Sequence, residues 1–333
     1  MENMIGKIAA LFKEAHYETL IFNQSEKIRN RFSFDLLVKK DNTLYTVKVF
    51  KNIDNINEDT IKEVKTLSKL LNSRPILIGI KNRYQKLNDN TIYIRYDLPF
   101  ITFNTLKQVI QAQVFPEILA RRGGGVIFLD GNVMKTLREQ KKVSRKEMSE
   151  ELGVTKRTIC AYENENMRPS EEIAAKIMDI LEDGSLFRKI NVLEWNLKFT
   201  LDPKELYQIE DLTDFESHLQ DIFKDLGLSS YWSKKGVVPF KLSLFTGIKD
   251  GQRDVYPVFS DITDENQKIN KQQLEALSVF TNMLAKNAIL IVDNTIRVPD
   301  SLIKNRISVI RVKKLEKIDS EEEFIAHIQD PES

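Results

Sequence analysis

Ser144 and Glu147, with Gly153 and Thr155 close behind, confine residues 144–163 to one arrangement: two short helices joined by a tight turn. Ser144-x-x-Glu147 is a capping box, in which each side chain accepts a hydrogen bond from the other residue's orphan amide, so a helix starts there. Met148 and Leu152 lie four apart on its inner face, and Gly153 supplies the left-handed residue that ends it. Val154 plugs the space between the helices. Thr155 caps the second helix, whose Ile159 and Tyr162 face inward while Lys156, Arg157, Cys160 and Ala161 fall on the outer side.

That outer side suits double-stranded DNA, because a helix N-terminus bearing short and basic side chains enters the major groove while the preceding helix crosses the backbone. From Gly131 to Ser170 nine Lys or Arg stand against six Glu, whereas the whole chain carries a formal net charge of only +1. Any attraction to nucleic acid therefore has to come from this local patch.

The stretch Gly131–Asp183 resembles the lambda-repressor-like (cro/C1-type) helix-turn-helix. Leu137-Arg138, the run Ser144–Val154, Thr155–Ile159, Tyr162-Glu163-Asn164 and Pro169-Ser170 carry the resemblance. With the lead-in RRGGGVIFLDG, the layout of the chain is similar to a group of archaeal regulators that carry this domain centrally. The resemblance implies a DNA-binding set of Ser144, Arg145, Lys146, Thr155, Lys156, Arg157, Thr158, Cys160 and Ala161. Within it, Arg157 is expected at a guanine, Lys156 at a guanine or a phosphate, and Ala161 at a thymine methyl. Arg145 and Lys146 are expected at phosphates, with Ser144 and Thr155 mainly capping. Glu163 is expected to fix the helix from behind. Two positions depart from the family: Ser149 replaces a usual Ala and needs a hydrogen-bond partner, and Asn164-Glu165-Asn166 replaces a usual Gly, with Asn expected to take the left-handed turn. Repressors of this type bind as dimers, which implies a homodimer whose interface lies in the flanking regions.

Those regions read as two α/β domains, 1–122 and 185–333, around the all-α domain at 126–184. In the first, an opening amphipathic helix precedes strands at Thr19–Phe22, Arg31–Val38 and Leu44–Phe50, with Lys40-Asp41-Asn42 as the turn. A helix at Glu58–Leu71, strands at Pro75–Ile80 and Thr91–Tyr96, and a helix at Thr105–Gln113 follow. Arg121-Arg122-Gly123-Gly124-Gly125 reads as a linker, since three glycines oppose helix and strand alike. Past a connecting stretch at Ile190–Thr200, the last domain offers a helix at Asp214–Leu226, strands at Pro239–Phe245 and Val255–Asp261, and a helix at Lys271–Ala285. Strands Ala288–Val292 and Ile307–Val312 and a helix at Ser320–Ile328 complete it. The order repeats that of the first domain, which suggests an internal structural repeat.

The helix, strand-pair, helix, strand order with Asp35 and Lys48 resembles the restriction-endonuclease-like fold, whose site combines an Asp with a Glu-x-Lys. Thr46 stands where the second carboxylate belongs, which would leave a metal under-liganded. In the second copy Lys241 aligns with Asp35 and Phe259 with Lys48. The expectation is a degenerate scaffold without catalytic residues, metal or cofactor; a metal-dependent nuclease and a protein-interaction adaptor stand as rivals. Cys160, a lone cysteine, excludes an intramolecular disulfide and suits a reducing, cytoplasmic setting. His16, His218 and His327 show no metal-ligand spacing, and no apolar run approaches a membrane span. A composition of 41% hydrophobic and 30% charged residues fits a folded chain.

Overall fold

The computed structural model describes residues 2–22, 32–121, 124–195, 212–233, 238–246, 256–264, 268–299 and 307–329. They gather into two compact units, 1–19 with 36–198, and 20–35 with 199–333. In the first, α1 (Glu2–Glu14) leads to β1 (Glu18–Ile21), β2 (Leu36–Lys40) and β3 (Thr43–Asn52). Next come α2 (Glu58–Leu70), β4 (Arg74–Lys81), β5 (Thr91–Arg95), β6 (Leu98–Ile101) and α3 (Phe103–Ala112). Strands β3, β4 and β6 run parallel, and both faces of β4 are buried. Leu77 packs with Ile61 and Val64 of α2, and the pleat turns the buried Ile76 and Ile78 to the other face. The strand expected at 31–38 begins only at Leu36, and Arg31 lies outside the described residues.

The glycine run is not a linker. Ile118–Arg121 (β7) and Gly124–Ile127 (β8) form an antiparallel hairpin, with Ala120 opposite Gly125, around Arg122-Gly123, which lie outside the described residues. The hairpin extends the sheet to the order β1-β2-β3-β4-β6-β5-β7-β8. Gly125 is required there by crowding, since a Cβ would lie 2.1 Å from Glu171 Oε1 and 2.5 Å from Ile118 Cγ2. Close approach of a neighbour is one use of a strand glycine.

Four helices follow: α4 (Gly131–Gln140), α5 (Arg145–Leu152), α6 (Lys156–Glu163) and α7 (Glu171–Leu181). Met134, Met148, Leu152, Ile159, Tyr162, Ile177 and Leu181 make their core. The bundle is stitched to the sheet through backbone: Ile127 N donates to Pro169 O (3.0 Å), Arg188 N to Phe128 O (2.8 Å) and Ile190 N to Pro116 O (2.9 Å).

In the second unit α8 (Asp214–Asp225) precedes β9 (Leu228–Trp232), β10 (Leu242–Thr246) and β11 (Val258–Thr263). Then come α9 (Lys271–Leu284), β12 (Ala288–Val292), β13 (Ser308–Arg311), α10 (Val312–Leu315) and α11 (Glu321–Gln329). Val255, expected in a strand, lies outside the described residues, as do 196–200 of the connecting stretch. One face carries an apolar core built on Leu219, Phe223, Ile289, Ile291 and Phe324. A separate aromatic cluster joins Phe240, Phe259 and Phe280, with ring centroids 4.8–5.6 Å apart, to Phe22 and, through it, Phe32 and Phe34 of the segment 20–35.

The strand order β9-β10-β11-β12-β13 follows the path of β1-β2-β3-β4-β6. Leu36 pairs with Val47 and Leu242 with Ser260, while Val47 pairs with Ile76 and Ser260 with Ile289. Equating these registers keeps Lys241 at the position of Asp35 but moves the partner alignment by two residues. Asp261, not Phe259, occupies the position of Lys48, and Phe259 occupies that of Thr46. Low identity hid the slip, which preserves the side of the pleat. At the two matched positions the charges are opposite, Asp35 and Lys48 at the β2–β3 pair, Lys241 and Asp261 at the β10–β11 pair.

Candidate nucleic-acid interface

The capping and turn devices expected at the starts of the two helices and between them are present. Ser144 and Glu147 exchange their bonds (Glu147 N to Ser144 Oγ, 3.2 Å; Ser144 N to Glu147 Oε2, 2.7 Å), and those amide and hydroxyl contacts hold the Glu147 carboxyl below its usual pKa. Gly153 sits at φ +66°. Thr155 Oγ1 accepts from Thr158 N at 3.1 Å and lies 2.9 Å from Thr158 Oγ1, so Thr158 is half-buried and tied to the cap. Ser149 finds its partner in Lys146 O at 2.7 Å.

At the other end of α6 the left-handed residue is Glu165 (φ +57°), and neither flanking Asn takes that conformation. Asn166 N donates to Ala161 O and Glu165 N to Tyr162 O, the paired bonds of a Schellman ending. A non-glycine residue there costs about 1–2 kcal/mol. The Glu165 carboxylate offsets it by accepting from Arg188 Nη2 (2.6 Å) and Gly131 N (3.3 Å). Arg188 also meets Asp130, the N-cap of α4, at 3.1 Å.

Behind the helix pair lies a clamp that sequence reasoning anticipated only on the Glu163 side. Glu163 is 2% exposed at its side chain. Its Oε1 accepts from Arg138 Nε at 2.6 Å, and its Oε2 from Arg145 Nη2 at 2.6 Å and Nε at 2.8 Å. Arg138 is itself 8% exposed and donates Nη1 to Val143 O at 3.0 Å. The carboxylate thus ties α4, the start of α5 and the end of α6 into one body. Arg145, expected at a phosphate, commits Nε and Nη2 to this clamp while its side chain stays 42% exposed, and the Glu163 contact raises its pKa further. No spacing rule links residues 25 apart, so the signal available was the pairing of a charged residue with an inward helical phase. Gly131 shows a second constraint, because a Cβ there would stand 2.0 Å from Glu163 O. Gly131→Ala is expected to destabilise this unit by about 3 kcal/mol, since backbone rather than a side chain must yield, and denaturant unfolding would measure it.

What remains on the outer side is compact. Lys156 and Arg157, in the first turn of α6, are exposed and have no ion pair among the described residues. Lys146 is exposed at a loose 3.9 Å from Glu150, Ser144 and Thr155 are exposed, and Cys160 and Ala161 are half-buried. Cys160 Sγ accepts from Asn164 Nδ2 at 3.3 Å. Arg168, counted among the basic residues, lies over the Phe128 ring at 4.1 Å.

The nuclease-like positions are arranged otherwise. Asp35 is buried just before β2, Lys48 is half-buried, and the Thr46 hydroxyl lies 3.4 Å from Ser73 Oγ. In the second copy Lys241 is ion-paired with the buried Glu216, and the buried Asp261 accepts from Gln273 Nε2 at 3.3 Å. Among the described residues no group of three or more His, Cys, Asp or Glu is placed to hold a metal ion.

Residues 134–186 match the Helix-turn-helix family, and residues 1–116 match the PD-(D/E)XK superfamily domain. A provisionally named HTH-type transcriptional regulatory protein of Methanobrevibacter smithii is 30% identical over 98% of this chain and 96% of its own length. The chain belongs to this family of archaeal HTH-type regulatory proteins. Other members behave alike: that of Methanocaldococcus jannaschii is 28% identical over 90% of this chain and 89% of its own, and that of Methanococcoides burtonii is 39% identical over 60% of each. No solved structure matches the chain. Among the described residues of this family member no helix is long and apolar enough to cross a membrane.

Proposed function

We propose that this protein is a sequence-specific DNA-binding transcriptional regulator that reads the major groove with the N-terminal turn of α6 and acts as a homodimer. The observation that carries the reading is the clamped helix pair, which holds Lys156 and Arg157 exposed and unpaired among the described residues at the free end of α6. A rigid support fixes where those cations point, as base readout requires. Arg157 is assigned to a guanine, Lys156 to a guanine or phosphate, and Ala161 to a thymine methyl. Lys146, Ser144, Thr155, Thr158 and Cys160 are assigned to the border with the backbone. Family membership supports the regulator reading; no relative's name speaks of the base assignments or the dimer.

In a titration at several salt concentrations, specific binding should weaken steeply as salt rises, because each phosphate contact releases counterions. Arg157→Ala is expected to lose about 1–3 kcal/mol at one base position and to relax preference there alone. Equal affinity of the unmodified protein for selected and random duplexes would overturn the reading. The PD-(D/E)XK match favours one rival, metal-dependent cleavage. Plasmid nicking in Mg²⁺ or Mn²⁺ that Asp35→Ala abolishes would establish it.

A further inference from the structure

Between β4 and β5 the chain makes a tight excursion, KNRYQKLN at residues 81–88, that the helix-turn-helix does not involve. Its base is pinned. Lys81 bridges Lys86, Leu87 N donates to Ile80 O (3.1 Å), and buried Leu87 fills the space over Gly79, where a Cβ would lie 2.6 Å from Leu87 Cδ1. Its tip is folded by Asn82, whose Oδ1 accepts from Tyr84 N (2.8 Å) and Gln85 N (2.7 Å), and by Asp54, which accepts from Arg83 N (2.9 Å). At that tip Tyr84 is 86% exposed.

Lys81, Arg83 and Lys86 are exposed around it, and the run 81–88 contains no acid. The acid that meets the loop, Asp54, also pairs with Arg95 Nε at 2.7 Å, and Asp89, the next acid along the chain, accepts from Thr102 and from Asn104 Nδ2 at 3.0 Å. The excursion leaves the carboxyl end of a strand in the parallel part of the sheet, the side on which open α/β sheets bind ligands. A preformed loop with three cations around an aromatic ring suits a polyanion whose charges recur along a rod and whose sugars offer apolar edges.

We propose that the 81–86 loop is a second contact with duplex DNA, with Arg83 and Lys86 on phosphates and Tyr84 packed on the sugar backbone outside the sequence read by α6. This rests on the regulator reading and adds a sequence-independent arm to it. The loop sits in the same compact unit as the helix-turn-helix.

The test compares the unmodified full chain with R83Q/K86Q and with Y84A on a long duplex carrying the selected site and on a duplex trimmed to that site. All the altered side chains are exposed, so circular dichroism should be unchanged. On the long duplex R83Q/K86Q is expected to reduce the slope of log K against log salt by about 2, at about 0.9 per phosphate, with base preference intact. Y84A is expected to weaken binding several-fold at an unchanged slope, and trimming should erase both differences. An unaltered slope beside a normal Arg157→Ala effect overturns the loop contact and leaves the regulator standing. Loop-dependent binding of polyglutamate with no loop-dependent DNA slope overturns it too, assigning the surface to an acidic protein. A chain without preference for any duplex overturns both readings.

Discussion

Glu163→Ala is expected to unfold or loosen the helix-turn-helix more than any substitution on its exposed outer side. The carboxylate is the hub of the clamp: removing it leaves Arg138, 8% exposed, with its Nε unpaired inside the bundle and only the exposed Glu139, at 3.4 Å, as counter-charge. Breaking a buried ion pair by deleting one partner costs about 3–5 kcal/mol, because the remaining charge stays desolvated. Arg145 contributes less to that loss, being 42% exposed and able to regain water. The expected order is therefore Glu163→Ala, then Arg138→Ala, then Arg145→Ala, in the denaturant midpoint of this unit. Glu163→Gln retains an acceptor and should fall between unmodified protein and Glu163→Ala. Loss of DNA binding in Glu163→Ala with an unshifted midpoint would show instead that Glu163 acts at the interface.

Lys241→Met is the second large effect, and it falls in the other unit. Lys241 is paired with Glu216, whose side chain is 7% exposed, and it is also the cation that favours charge on Asp261. Burial pushes Asp261 up to about 6 in spite of a backbone amide bond and of Lys241. Removing the ammonium leaves two buried carboxylates with no other cation paired to them among the described residues, at a cost of about 3–5 kcal/mol near pH 7. Glu216 is partly sheltered, since Thr213 N donates to it at 3.0 Å as the other half of a capping box. The sign of the pH dependence follows from Asp261. Its folded pKa lies above its unfolded one, so protonation favours the folded state; that stability is full below about pH 4 and is lost as pH rises through about 6. The penalty in Lys241→Met should therefore shrink on acidification from pH 7 to 5, and Asp261→Asn should flatten the profile in both backgrounds. A pH-independent difference would place the effect of Lys241 in packing alone.

Local features were legible in the sequence, and tertiary ones were not. The capping box, Gly153 and the Thr155 cap each involve residues within a turn of one another, so spacing was sufficient. The placement of Glu163 behind the helix was also foreseen. Its partners were not, because Arg138 looks like any other surface cation until the phase of α4 is known. The hairpin at 118–127 was missed for the opposite reason. Gly125 weakens a strand by propensity, and only the presence of Glu171 and Ile118 against it shows why a glycine belongs there. Strand β6 (LPFI) is too short to show alternation against noise, and β9 (LSSYW) carries two serines that read as a turn. Lys156 and Arg157 were foreseen as outward-facing, while the aromatic loop at 81–86 carried no helical or strand period to attract notice.

The reversed charges of the two sheets bear on how such a chain reaches its fold. Tandem copies of one topology are prone to trade strands while they form, and the trapped product is as well hydrogen-bonded as the correct one. Here a β2 segment entering the second sheet would bring Asp35 to the position beside Asp261, and a β10 segment entering the first would bring Lys241 beside Lys48. Either exchange sets like charges side by side, whereas the native partition leaves Lys241 with its own acid, Glu216. Like charges at the exchanged positions would disfavour such a swap, so the charge pattern acts as a check on which half of the chain enters which sheet.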